Sequence, residues 1–254
     1  MKSRSPLTTF CAAFLLWGVL ASVSSEASLF GRKKTGGASR GEYLVVSGGP
    51  ALQEWEVLRA DRHDLWWGNF VRSARFRMHQ LFEGDPRRQI TWLVYRPAYV
   101  SRGAEDGQPR IDHVKSVRTM FARDYQRTIK LVWFDTTAQL IDYVNNRDRS
   151  NKVVGFEFFG HSNAPAWMFD YSNHISGVSR AWLHEDELGK FRRRAFDRNA
   201  FCKSWGCYSG QSFCRAFRKA TGVAMWGATD KTDYAVLKDG RLPVISNRGV
   251  WVQP

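Results

Sequence analysis

Cysteine is scarce in this chain, with four in 254 residues. Cys11 lies in an N-terminal apolar stretch, which leaves Cys202, Cys207 and Cys214 for the rest. Three thiols cannot all pair, so a disulfide scaffold is excluded and either one thiol or all three stay reduced. The short fingerprints of nucleotide chemistry are also missing: neither a phosphate-binding loop nor a Gly-rich dinucleotide turn occurs. Metal-site spacing is absent as well. His161, His174 and His184 follow H-x12-H-x9-H and the cysteines C-x4-C-x6-C, and neither matches a structural zinc site. The expectation is a protein with no metal and no cofactor.

Long apolar runs are nearly lacking. The longest, over residues 10–23, follows the basic Lys2 and Arg4 and precedes Ser25-Glu26-Ala27, which places small residues at the −3 and −1 positions of a cleavage site. That pattern predicts a secretory signal over residues 1–27. An uncleaved anchor is the alternative, but the run is shorter than the roughly 20 residues a span requires. The mature chain is therefore expected to be exported, periplasmic or extracellular, with no transmembrane span. Residues 28–41, rich in Gly, Ser and basic side chains, read as a flexible lead-in to a domain over residues 42–254.

Positive charge is what the chain has in excess, at a formal +14. Losing Lys2, Arg4 and Glu26 with the signal leaves it strongly basic. Such a balance suits nucleic acid, anionic lipid or an acidic envelope polymer. The cations are spread, however, and cluster only at Arg32-Lys33-Lys34 and Arg192-Arg193-Arg194, as on a solvated basic surface. An exported protein meets little nucleic acid, so no nucleic-acid partner is expected. An anionic polymer or lipid surface remains a possible partner. Tryptophans such as Trp66, Trp67, Trp167, Trp205 and Trp226 could stack on sugars or bases, although such residues more often belong to a core or its rim.

Buried apolar runs alternate with helical patterns along the domain. Strands are expected over residues 43–47, 90–95, 129–134, 153–159, 200–205 and 223–227. A helix is expected over about residues 65–82, with Trp66, Phe70, Ala74 and Met78 on one face, and Pro97 should end the second strand before a polar loop over 101–110. Asp135 or Thr136 can cap a helix carrying Leu140, Ile141 and Val144. Ser209 can cap another carrying Phe213, Phe217 and Ala220 that ends at Gly222. Apolar strands alternating with amphipathic helices predict an open, mostly parallel α/β sheet covered on both faces. Ligands of such sheets bind beyond the carboxyl ends of the strands, where His161 and Cys207 each follow one.

Two chemistries compete for "FFGHSN". Gly160-His161-Ser162-Asn163-Ala164 resembles the G-x-S-x-G elbow of α/β-hydrolases, with Ala at the last position. That elbow needs an acid and a histidine downstream, and the later histidines, His174 and His184, lie within about 22 residues of Ser162, too close for the usual intervening elements. In the second reading His161 is the base and Cys207 the nucleophile. Gly206 would leave space at the turn, and the helix starting near Ser209 and Gly210 would favour a thiolate. The backbone N–H groups of Ser162 and Cys207 are the natural oxyanion donors. A bland alternative makes Cys207 a small buried hydrophobe and His161 a satisfied core histidine.

The order of the motifs resembles the caspase-like peptidases of clan CD, which include legumains, gingipains, metacaspases and separases. One hydrophobic block ends in Phe159-Gly160-His161; a second ends in Gly206-Cys207, about 46 residues on. "YLVVSGGP" and "WWGNFVRSARFRM" look like the opening strand and Asn-aromatic helix of legumain-type domains, and "VAMWGATD" like the strand after the nucleophile helix, so the likeness spans roughly residues 42–234. It implies a three-layer α/β/α sandwich, a Cys-His dyad of Cys207 and His161, and a protein or peptide substrate. Asp230 and Asp233 fall where such enzymes build part of the pocket for the residue before the scissile bond, implying a taste for basic side chains if they face it; a solvated loop is the alternative. One position departs from the family, with Ser162 standing where it has Gly.

Overall fold

Each apolar run becomes a strand of one sheet in the computed structural model, which describes residues 41–57, 66–107, 111–125, 129–147, 150–171 and 181–254. The expected signal over 1–27, the Arg32-Lys33-Lys34 run, all of the lead-in except Gly41, and His174 lie outside these residues. The strands of the first half are β1 (Glu42–Ser47), β2 (Gln89–Tyr95), β3 (Ile129–Phe134) and β4 (Val153–Phe159). There follow β5 (His161–Ser162), β6 (Ala166–Asp170), β7 (Ala181–His184), β8 (Phe196–Ser204) and β9 (Met225–Ala228). Short strands β10 (Thr232–Asp233), β11 (Val244–Ile245) and β12 (Trp251–Val252) complete the set. The helices are α1 (Gln53–Val57), α2 (Asn69–Gly84), α3 (Arg96–Glu105), α4 (His113–Tyr125), α5 (Thr137–Asn145) and α6 (Phe213–Thr221).

The central sheet has seven strands in the order β3-β2-β1-β4-β8-β9-β12. All pairs are parallel except β9 with β12, where Trp251 faces Ala228. The chain builds outward from β1 through β2 to β3, then returns to the other side of β1 with β4. That reversal is the topological switch point, and ligands of open α/β sheets bind in the crevice it leaves at the carboxyl ends. Ser47 pairs with Phe159, so β1 and β4 end together beside it.

Successive strand residues point to opposite faces, and here both faces are buried. Tyr43 and Val45 of β1 join Phe70, Ala74 and Met78 of α2 and Val117 of α4 in one core. Leu44 and Val46 join Leu140, Ile141 and Val144 of α5 and Phe213 and Phe217 of α6 in the other. The result is a mixed α/β fold with helices on both sides of a mostly parallel sheet, compatible with the expected α/β/α layering. Gly37–Pro254 form one compact unit. No described helix is long and apolar enough to cross a membrane.

Four local expectations are corrected. Residues 101–105 of the expected polar loop are helical instead, and Pro97 stands in the first turn of α3, where a missing N–H costs no helical hydrogen bond. Gly103, which suggested a breaker, lies inside α3 because any Cβ there would collide with the Ile111 carbonyl oxygen. Helix α2 starts at Asn69 rather than near 65, and Trp66 ahead of it is 44% exposed instead of facing the core. Beyond Gly160, β5, β6 and β7 form an antiparallel three-stranded sheet whose Trp167 stacks on Phe158 at 4.3 Å. Helix α6 begins at Phe213 behind Ser212, not at Ser209.

The other caps follow the sequence. Thr136 accepts a hydrogen bond from the Gln139 N–H, and Gly222 ends α6 at φ +79, a conformation that disfavours a Cβ.

Candidate active site

Strand β4 ends where its neighbours hold it. The Gly48 N–H donates to the Phe159 carbonyl and the Trp205 N–H to the Phe158 carbonyl, each at 2.8 Å. Beyond Gly160, His161 is held in β5 opposite Met168 of β6. Its ring meets Phe70 of α2 edge-on at 4.9 Å and Tyr171 at 4.8 Å, and the residue is buried.

Strand β8 runs out alongside and delivers Trp205-Gly206-Cys207. Here the two strand ends touch. Ser162 Oγ donates to the Cys207 carbonyl oxygen at 2.6 Å. A Cβ on Gly206 would overlap Ser162 Oγ, and would lie 2.8 Å from Ser162 Cβ and 3.0 Å from the Gly160 carbonyl oxygen. Gly206 was expected to leave space at the turn; instead Ser162 fills that space, and only glycine permits the approach. The residues next to His161 and Cys207 are thus in direct contact although some 45 positions separate Ser162 from Cys207.

The three cysteines divide sharply. All are free, with Cys202 and Cys214 buried and Cys207 partly exposed. Burial, reinforced by the Glu157 charge, pushes the Cys202 thiol far up, and burial pushes the Cys214 thiol up to about 12. Cys207 Sγ receives the Thr232 backbone N–H at 3.3 Å, and Thr232 Oγ1 lies 3.5 Å away. Thr232, itself buried, is held in β10 opposite Ile245.

The backbone N–H groups of Cys207 and Ser162 were the expected oxyanion donors. Among the described residues the Cys207 N–H has no hydrogen-bond partner. The Asn163 N–H donates to the Ala166 carbonyl, so ladder alternation makes Ser162–Trp167 a non-hydrogen-bonded pair. The Ser162 N–H therefore points away from β6. Ser162 has ordinary extended backbone, since Tyr208 and Asn247 are the non-glycine residues at positive φ among the described ones. Its Cβ consequently introduces no backbone strain at this position.

Helix α6 does not begin at Cys207. Residues 207–212 are turns, and Ser209 Oγ donates back to the Gly206 carbonyl at 3.2 Å. Tyr208, directly after the cysteine, takes φ +58, an uncommon conformation for an aromatic residue. Its N–H donates to the Asp230 carbonyl at 3.0 Å. Partial burial and the Asp230 charge raise its phenol.

Asp230 and Asp233 bracket Thr232, which carries them to the cysteine's side of the site. Asp230 Oδ1 accepts the Lys231 N–H and Asp233 Oδ1 the Ala235 N–H, each at 2.7 Å. Ser162 Oγ, the alternative nucleophile, is committed to a carbonyl oxygen rather than to a base. His184 caps the 3-10 helix Glu185–Lys190, accepting the Asp186 N–H on Nδ1. Among the described residues no group of three His, Cys, Asp or Glu side chains is placed to hold a metal ion.

Sequence reading missed Glu157, Thr232 and Tyr208. Glu157 sits fully buried in β4 and accepts from Arg77 Nε and Trp205 Nε1, each at 2.7 Å, and from the Tyr43 hydroxyl. A glutamate inside the apolar run "VVGFEFF" was the available signal, because a carboxylate is seldom fully buried without partners. Nothing local marks Thr232 or Tyr208. Compared with family models, curated proteins and solved structures, the chain matches none.

Proposed function

We propose that the chain is an acyl-transfer hydrolase of the caspase-like type, an exported cysteine endopeptidase, with Cys207 as nucleophile and His161 as its acid-base partner. The supporting observation is the junction of the two strand ends, where Ser162 seats on Gly206 and bonds to Cys207 while a backbone N–H faces the sulfur. In this reading the fold is a three-layer α/β/α sandwich. Sγ gives its proton to His161 and attacks a peptide carbonyl carbon, and the N–H groups of Cys207 and Ser162 receive the charge that moves onto oxygen. The tetrahedral species collapses with loss of the amine, which His161 protonates. Water, deprotonated by His161, then hydrolyses the thioester and frees the cysteine. In this reading Asp230 and Asp233, beside Thr232, would receive a basic substrate residue.

The test is turnover of a fluorogenic peptide library by the mature chain. Cys207→Ala and His161→Ala are each expected to lower kcat/KM by about a thousandfold or more, Cys207→Ala with the unfolding midpoint unchanged. Ser162→Ala keeps its N–H and loses one neutral hydrogen bond, so a loss below about tenfold is expected. Abolition by Ser162→Ala alone would make this a serine enzyme. A second reading, a catalytically weak module that binds an anionic envelope polymer or lipid surface, is favoured by the +14 formal charge. Its mark is salt-sensitive association that survives Cys207→Ala.

A further inference from the structure

The Arg192-Arg193-Arg194 run is divided by the fold. Around the 3-10 turn Arg193–Ala195, Arg193 is directed to the end of α6, where a Cβ on Gly222 would lie 3.3 Å from its Nη2. Arg192 and Arg194 instead line a cleft of about 240 Å³ together with Asn145, Asn146, Arg147 and Lys152. Its walls are pinned to each other. Asn145 Oδ1 accepts the Arg192 N–H and Asn145 Nδ2 donates to the Lys190 carbonyl, each at 2.8 Å.

The deepest cation is short of partners. The Arg147 side chain is 7% exposed and pairs through Nη2 with Glu42, yet its buried Nε and Nη1 have no hydrogen-bond partner. Among the described residues Lys152, Arg192 and Arg194 form no ion pair. Four cations therefore line one cleft, of which Arg147 is paired with a carboxylate, and two of its buried guanidinium donors are unused. Unpaired buried donors are costly, and a guanidinium edge matches the oxygens of a tetrahedral oxyanion.

We propose that this cleft binds a compact phosphate-type oxyanion of two or more negative charges, free in solution. Lys152, Glu42 and Ala195 stand at the amino ends of β4, β1 and β8. In a parallel sheet this edge is opposite the candidate active site, about 20 Å away along a strand of this length. The site is therefore independent of the peptidase reading. A flat bilayer surface cannot reach the recessed Arg147, whereas a small anion can enter the cleft that Arg147, Lys152 and the two flanking arginines line.

The test is calorimetric titration of the mature chain with inorganic pyrophosphate at about 0.15 M salt. One saturable site is expected, with the unfolding midpoint raised by the ligand. Arg192→Ala combined with Arg194→Ala, both exposed, should weaken binding by at least about tenfold. Lys238→Ala with Arg241→Ala removes the same charge elsewhere and should leave binding unchanged, as should Cys207→Ala. Three results would overturn the proposal: no saturable binding, equal weakening by both double variants, or association confined to vesicles containing phosphatidylglycerol.

Discussion

At the scale of single residues, the contact between Gly206 and Ser162 carries the site. It brings the ends of β4 and β8 together, so that Ser162 reaches the Cys207 carbonyl oxygen. Gly206→Ala puts a methyl group into Ser162 Oγ, with the Gly160 carbonyl 3.0 Å behind, so neither neighbour can yield without moving a strand end. A destabilisation of about 1–3 kcal/mol is expected from such overpacking, together with a large loss of turnover. Urea unfolding and peptide hydrolysis read the two effects, and an alanine variant as stable and active as the parent would show that the strand ends are not locked. The same scale separates the thiols. Burial alone disqualifies Cys202 and Cys214 as nucleophiles, and no feature of the local sequence around the three distinguishes them as clearly.

At the scale of elements, α3 shows how a side-chain cluster can outweigh helix-breaking residues. Arg102, buried in α3, donates to Asp106 at 2.6 Å and to the Ala51 carbonyl at 2.8 Å. His113, at the start of α4 and stacked on Trp67, meets the other Asp106 oxygen at 2.6 Å. Burial opposes ionisation of Asp106, but hydrogen bonds from Arg102, His113 and Gln53 prevail and hold its carboxyl below the ordinary value. A carboxyl depressed in the folded state stabilises the fold above its unfolded pKa of about 3.9 and loses that contribution as pH falls through the folded value. Asp106→Asn should therefore lower the unfolding temperature at neutral pH and flatten its fall below about pH 4. Thermal melts across that range decide the matter, and parallel curves for the two proteins would assign the acid sensitivity elsewhere. Pro and Gly at 97 and 103 suggested a loop because sequence patterns register intrinsic propensity, whereas the packing of Tyr99 and Arg102 against the β1 loop does not appear in any local window.

Across the whole molecule, Glu157 joins the halves of the sheet. Its partners come from β1 (Tyr43), α2 (Arg77) and the residue two before the candidate nucleophile (Trp205). Burial alone would lower the Arg77 pKa, but the Glu157 charge and hydrogen bond raise it, and burial with the Glu157 charge raises the Tyr43 phenol. Glu157→Ala should cost about 3–5 kcal/mol, because it leaves a largely buried guanidinium without its counter-charge and an indole N–H without its acceptor. Glu157→Gln should cost less, since an amide oxygen still accepts one bond. Chemical denaturation of both variants tests the order. Equal, small losses would mean that water replaces the carboxylate.

The sequence by itself determined the alternation of strands and helices, the near-continuous burial of β1, β2 and β4, the caps at Thr136 and Gly222, and the delivery of His161 and Cys207 by strand ends. These follow from periodicity and from residue types that act over a few positions. Only the tertiary structure decided that Ser162 closes on Gly206, that Thr232 faces the sulfur, that Cys202 and Cys214 are sealed, and that the arginine run is divided between a cleft and the end of α6. Each of those depends on strand order and register, which join residues tens of positions apart, and no local pattern in the chain encodes that distance.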